Sequence, residues 1–258
     1  MTTNPKVIRK KGLEKISISC VETDECSKAY TILKYTHDSS FALHQAYRLA
    51  RDIRAFKSRK KGEQQESKEF KEVRGLSTDE EQDLLRAMLV MAASGLDAVT
   101  KQIIRDTLPT LVRKDSNAQE ELEKFVRGRI KGDTEGPDGT AGGKYLARIL
   151  VADSIQQRLI EDYISNLTGS SLQSAEELSK TAKALAIQPQ DAGINAKELK
   201  PIFDCRNKII HELDINLEGK YRKRNVRSES KMLQYTNALI SVAEELVKAV
   251  DKRLKTSD

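Results

Sequence analysis

The sequence predicts an all-α protein, a helical bundle preceded by a helical N-terminal extension, and three observations carry that prediction. Apolar residues recur at three- and four-residue steps through several long windows, the period of one helical face. Ser or Thr followed three residues later by Glu stands just before such windows, as at helix starts. With 5% aromatic residues, 13 Gly and 5 Pro in 258 residues, the chain lacks the aromatic and β-branched alternation and the frequent turns of sandwiches and barrels. No repeat and no strand–helix alternation is visible.

Taken in order, residues 1–76 read as a basic, mostly helical extension and residues 77–258 as the bundle. The segment KISISCV, residues 15–21, has the composition of a short strand. Residues 27–55 read as helix in two pieces, broken near Asp38-Ser39-Ser40, with Ser40 capping the second. The tract KSRKKGEQQESKEFKEVRG after it reads as a solvated linker or exposed helix end.

Ser77-Thr78-Asp79-Glu80 has the form of a capping box. From there Leu84, Leu85, Met88, Leu89, Leu96, Val99 and Ile103 build one apolar stripe, which Pro109 is expected to interrupt. A further start at Asn117 with Glu120 opens a helix that ends before GDTEGPDGTAGG, residues 132–143, a connector without the order of a phosphate-binding loop. Residues 144–167 read as one helix with Leu146, Ile149, Leu150, Ile160, Tyr163 and Leu167 inward and Gly169 at its C′ position. Ser174 with Glu177 starts the next. A motif-bearing helix and a basic loop come after it, and the last helix carries Leu239, Val242, Leu246, Val250 and Leu254 at helical spacing.

Composition bounds the function. No run approaches about 18 uninterrupted apolar residues, and MTTNPKVIRKKG shows no apolar core after its basic residues, so neither a membrane span nor a secretion signal is expected. Cys20, Cys26 and Cys205 show no C-x-x-C spacing and there are 3 His, so no metal centre is expected; His37 and His44 read as surface or packing residues. This cysteine usage fits a reducing cytoplasm. Residues 1–75 carry 17 Lys/Arg against 10 Asp/Glu, and the rest carries 28 against 29. That asymmetry suits an anionic partner.

The chemistry concentrates between residues 203 and 212. On a wheel of about 100° per residue, Leu199, Ile202, Phe203, Ile209, Ile210 and Leu213 fall within about 60° of Arg206. Arg206 therefore stands in the middle of an apolar stripe, where a guanidinium requires an acid such as one near Asp97, a subunit interface or a bound anion. Asn207 and His211, four residues apart, share the flank of that stripe.

Arg206-Asn207-Lys208-Ile209-Ile210-His211, succeeded by Glu212-Leu213, resembles the Arg-x4–6-His motif of the HEPN family, often Arg-Asn-x3-His near the start of a late helix of a bundle. The order of helices over residues 77–255 is similar as well. The resemblance implies a metal-independent endoribonuclease without a cofactor, usually a homodimer with two motifs facing across the interface. His211 would serve as general base or acid, Arg206 would hold the phosphate, and Asn207 would position the phosphate or orient His211. Many relatives act as toxins or abortive-infection effectors held by an antitoxin or another regulatory protein.

The loop just after the motif, with Lys220, Tyr221, Arg222, Lys223, Arg224 and Arg227, holds five basic residues and no acid in eight positions. It suits an RNA backbone, with Tyr221 stacking on a base. Alternatively its charges balance Glu212, Asp214 and Glu218. Two other functions are compatible with the sequence: a non-catalytic HEPN-type module that binds nucleotide or protein, and a helical partner-binding subunit.

Overall fold

The longest apolar stripe in the sequence becomes the centre of the molecule. The computed structural model describes residues 12–17, 21–62, 78–132, 140–172, 174–219 and 221–256. Among them lie eight α-helices: α1 (Asp24–Gly62), α2 (Asp79–Lys114), α3 (Ser116–Gly132), α4 (Thr140–Leu150), α5 (Ile155–Thr168), α6 (Ala175–Ala184), α7 (Ala196–Glu212) and α8 (Glu229–Thr256), with a short 3₁₀ turn over Pro189–Ala192. The protein is an all-α bundle.

α2 is the central strut and packs against α1, α8, α5, α3 and α7. Leu85, Met88, Leu89, Leu96, Val99, Ile103, Ile104, Leu108 and Leu111 along it are fully buried. Each such side chain contributes roughly 1.5–3 kcal/mol by leaving water. By length and composition α2 passes as a membrane span, yet more than half of that window is buried inside the bundle. Pro109 does not end α2, which runs on to Lys114, because Leu108, Leu111 and Val112 are core residues on either side of it. The start is shifted by one residue from the sequence reading. Thr78 is the N-cap, its Oγ1 accepting from Glu81 N–H while Glu81 Oε2 accepts from Thr78 N–H.

α1 is one continuous helix through Asp38-Ser39-Ser40, where a break was expected. Cys26, Ala29, Leu33, Thr36, Ser40, His44 and Tyr47 form its buried face, so packing overrides the polar break signal. Gly95 lets α2 come close to it, since a Cβ there would lie 2.1 Å from Thr36 Cγ2. Upstream, residues 12–17 and 21–23 contain no strand. Their backbone instead donates to α8 carboxylates: Ser17 N–H to Glu244 at 2.8 Å, and Thr23 N–H to Asp251 at 2.8 Å. Residues 18–20, the middle of the KISISCV segment read as a short strand, lie outside the described residues.

The middle of the chain corrects three boundaries. α3 starts at Ser116 because Asp115 is its cap, accepting from Asn117 N–H at 2.9 Å while gripped by Arg253. Thr140–Gly143, assigned to the connector, are helical and open α4. The helix expected over 144–167 is two, separated at residues 151–154, with Ser154 Oγ capping α5. Ile149, Ile160, Tyr163 and Leu167 are buried, but Leu146 and Leu150 face solvent at the end of α4. Gly169 ends α5 with right-handed backbone instead of the left-handed C′ geometry. Ser174 caps α6 as expected, and Leu239, Val242, Leu246, Val250 and Leu254 are core.

Candidate active site

The site is built on α7 and on the hairpin that joins α7 to α8. Asn195 Oδ1 caps α7 by accepting from Lys197 N–H, and Leu199, Ile202, Phe203, Cys205 and Ile209 pin the helix to the core. Arg206 sits among them at 9% exposure. Burial pulls its guanidinium below the usual arginine range, and the nearby Asp97 carboxylate works in the opposite direction. Asp97 is itself tied down, accepting from Leu172 N–H at 2.8 Å and pairing with Lys101 at 2.9 Å. Asp97, the neighbourhood in which the sequence suggested an acid for Arg206, acts on it through its charge.

Asn207 is half-buried, and its Oδ1 accepts from Arg206 Nη1 at 3.0 Å. His211 is exposed in the last turn of α7. The apolar stripe around Arg206 changes character along the helix. Before Arg206 it is core, whereas Ile210 and Leu213 emerge into solvent beside His211. A buried cation, an amide bonded to it and, five residues on, an exposed imidazole therefore stand on the second half of one helix.

α7 ends abruptly. Leu213 and Asp214 both take left-handed backbone, with φ of 49° and 60°, and Asp214 N–H donates to Lys208 O at 2.9 Å. Two successive non-glycine residues in this region cost about 1–2 kcal/mol each. The next segment folds back on itself, with Asn216 N–H on Lys223 O and Asn225 N–H on Asp214 O.

This hairpin carries the basic loop, and its cations separate into two groups. Tyr221, Arg222 and Lys223 are exposed at the tip, with Lys223 Nζ 5.8 Å from the Tyr221 ring centroid. Arg224 instead grips Asp83 through both terminal nitrogens, at 3.0 and 2.7 Å, and Arg227 grips Asp214 through Nε and Nη2. Lys220 lies outside the described residues.

Asp214 is fully buried and also accepts from Arg86 Nε at 2.9 Å and Asn225 Nδ2 at 3.1 Å. Burial alone would push its carboxyl pKa up; the hydrogen bonds from Arg227, Arg86 and Asn225 hold it below the ordinary value. Sequence reasoning named Asp214 as one balancing acid but missed Arg86, which stands about 100° from Leu85 on the helical wheel, at the edge of the apolar stripe. Among the described residues no three His, Cys, Asp or Glu side chains converge as a metal-ligand set. An open cleft of about 530 Å³ between α8 and the 186–191 turn contains none of the motif or loop residues.

An all-α bundle whose late helix carries Arg-Asn-x3-His is the architecture of a HEPN domain. The family model described as RiboL-PSP-HEPN matches residues 47–256, and the chain belongs to that family. HEPN domains are often ribonucleases or nucleotide-binding modules. No curated protein and no solved structure matches the chain.

Proposed function

We propose that the protein is a metal-independent endoribonuclease that cleaves RNA by attack of a 2′-hydroxyl on the adjacent phosphate. The observation that supports this reading is that Arg206, buried and bonded to Asn207, and His211, exposed, stand on one late helix of a HEPN-family domain. The reaction needs proton removal from the 2′-oxygen, stabilisation of the phosphorane, and a proton for the leaving 5′-oxygen. His211 exchanges protons with the reacting oxygens. Arg206 holds the phosphate and takes up the developing charge through its planar fork. Asn207 keeps that fork oriented.

One imidazole per chain leaves either the base or the acid unsupplied, which a homodimer with a second His211 answers. Ile210 and Leu213, exposed beside His211, suit such a contact. Tyr221, Arg222 and Lys223 at the hairpin tip suit a single strand, the ring stacking on a base and the cations tracking phosphates. A cytoplasmic toxin or defence effector, held by an antitoxin or another regulatory protein, is the biological role that accompanies this activity.

Purified protein and its His211→Ala variant, incubated in EDTA with total RNA and a labelled single-stranded oligonucleotide, test the proposal. Wild type yields fragments ending in 2′,3′-cyclic phosphate and the variant yields none. Equal cleavage by both removes His211 from the chemistry, and cleavage by neither favours the nucleotide- or protein-binding reading.

A further inference from the structure

Asp214 is joined to everything that must stay in register around the motif. Its N–H closes the end of α7 on Lys208 O, three residues before His211. Its carboxylate takes Arg86 from α2 and Arg227 from the far limb of the hairpin, and its carbonyl oxygen takes Asn225 N–H at 2.8 Å. Gln82 Oε1 adds to the same corner by accepting from Arg227 N–H. Cys205, the residue before Arg206, is close enough for the charges of Arg227 and Asp214 to act on its thiol. One buried carboxylate thus links the motif helix, the central helix and the basic hairpin.

We infer that Asp214 is a positioning residue, which fixes the last turn of α7 with His211 and the stance of the basic hairpin through its buried contacts to Arg86 and Arg227. The inference rests on the ribonuclease reading for its kinetic consequence and on the structure alone for its conformational one. It also assigns Arg227 to the support of the hairpin and not to phosphate contact.

The sign of the effect separates positioning from simple electrostatics. Asp214→Asn removes a negative charge near an RNA path, which by charge alone strengthens RNA binding. Positioning predicts a loss instead. Asn accepts left-handed backbone, so the substitution adds no strain of its own. Expected is a fall in kcat of about 10- to 100-fold, the scale of a misplacement of about 1 Å at a reacting group. Arg227→Gln, which leaves Asp214 with Arg86 and Asn225, produces the same fall and carries the test if Asp214→Asn does not fold. The double variant is no worse than Asp214→Asn.

A salt series gives the second readout. If Arg227 touched phosphate, Arg227→Gln would reduce the slope of log affinity against log salt by about 0.7 for single-stranded RNA. The inference expects an unchanged slope. Unchanged kcat in both variants, or a slope reduced by that amount with kcat intact, overturns it while leaving the ribonuclease reading in place. If wild type does not cleave RNA, amide hydrogen exchange decides. Arg227→Gln should release the amides of Asp214, Asn216 and Asn225 and the last turn of α7 while α2 stays protected, and full protection of those amides overturns the inference.

Discussion

Arg206 stands on α7 and Arg227 acts on its neighbour there, Cys205, and their surroundings shift the two guanidiniums in opposite directions. Arg227 has its fork on a buried carboxylate, and that hydrogen-bonded pair holds its pKa up. Arg206, one residue past Cys205 and about 100° around the helix, has its pKa pulled down, because burial outweighs the pull of Asp97. Breaking the first arrangement strands a charge in the interior. In the second, burial disfavours the charged form, which an added anion would favour. The first arrangement holds structure, and under the proposed ribonuclease reading the second holds phosphate.

The sharpest way to break this comparison is to truncate each side. Arg206→Ala should reduce RNA cleavage by about 10²- to 10³-fold, as for loss of a donor to developing charge, with little change in urea unfolding. Asp214→Ala should cost about 3–5 kcal/mol in urea unfolding, because Arg86 and Arg227 lose their common partner. If Arg206→Ala destabilises as much as Asp214→Ala, the two arginines are alike and Arg206 is a structural residue.

Acid titration sharpens the same contrast. The folded pKa of Asp214 lies below its ordinary value of 3.8, so its pairing contributes in full above that pH and is lost as pH falls through the folded value. Asp83, Asp115 and Asp251 are shifted the same way and lose stability over the same acid range. Unfolding free energy tracked downward from pH 3.8 should fall less steeply in Asp214→Asn than in wild type. Arg206→Ala should retain the wild-type slope. Equal slopes in wild type and Asp214→Asn would mean that Asp214 titrates normally in the fold.

The difference between the two arginines also explains what could be read from the sequence. Arg206 interrupts an apolar stripe, so periodicity alone exposes it, and the same periodicity located α2, α7 and α8. Arg224 and Arg227 could not be separated from Arg222 and Lys223, because in a loop no period tells which side chains turn inward; their partners Asp83 and Asp214 lie 141 and 13 residues away. Element ends failed for a related reason. Ser40 and Pro109 are local breakers within helices whose buried faces continue past them. Thr78 and Ser77 offer equivalent capping spacings, and tertiary contact chose between them: Glu81, the partner of Thr78, is also held by Arg54 of α1 at 2.9 Å.

The smallest expected effects come from backbone strain at two helix ends, one beside the motif and one remote from it. Ala186 closes α6 with φ of 57°, its successor Ile187 N–H on Ala182 O at 2.9 Å, and Leu213 closes α7 with φ of 49° in a similar hydrogen-bond frame. Glycine relieves a left-handed position at some cost in chain entropy, for a net gain of roughly 0.5–1 kcal/mol. Ala186→Gly should therefore raise the unfolding midpoint and leave RNA cleavage unchanged. Leu213→Gly should raise it less, since a looser end to α7 and loss of an exposed apolar side chain beside His211 both act against it, and cleavage should fall several-fold, as when a strained site is relaxed. Equal gains in stability with full cleavage in both would show that the strain at Leu213 merely ends a helix, and that the arginine pair alone distinguishes the motif end of α7 from any other.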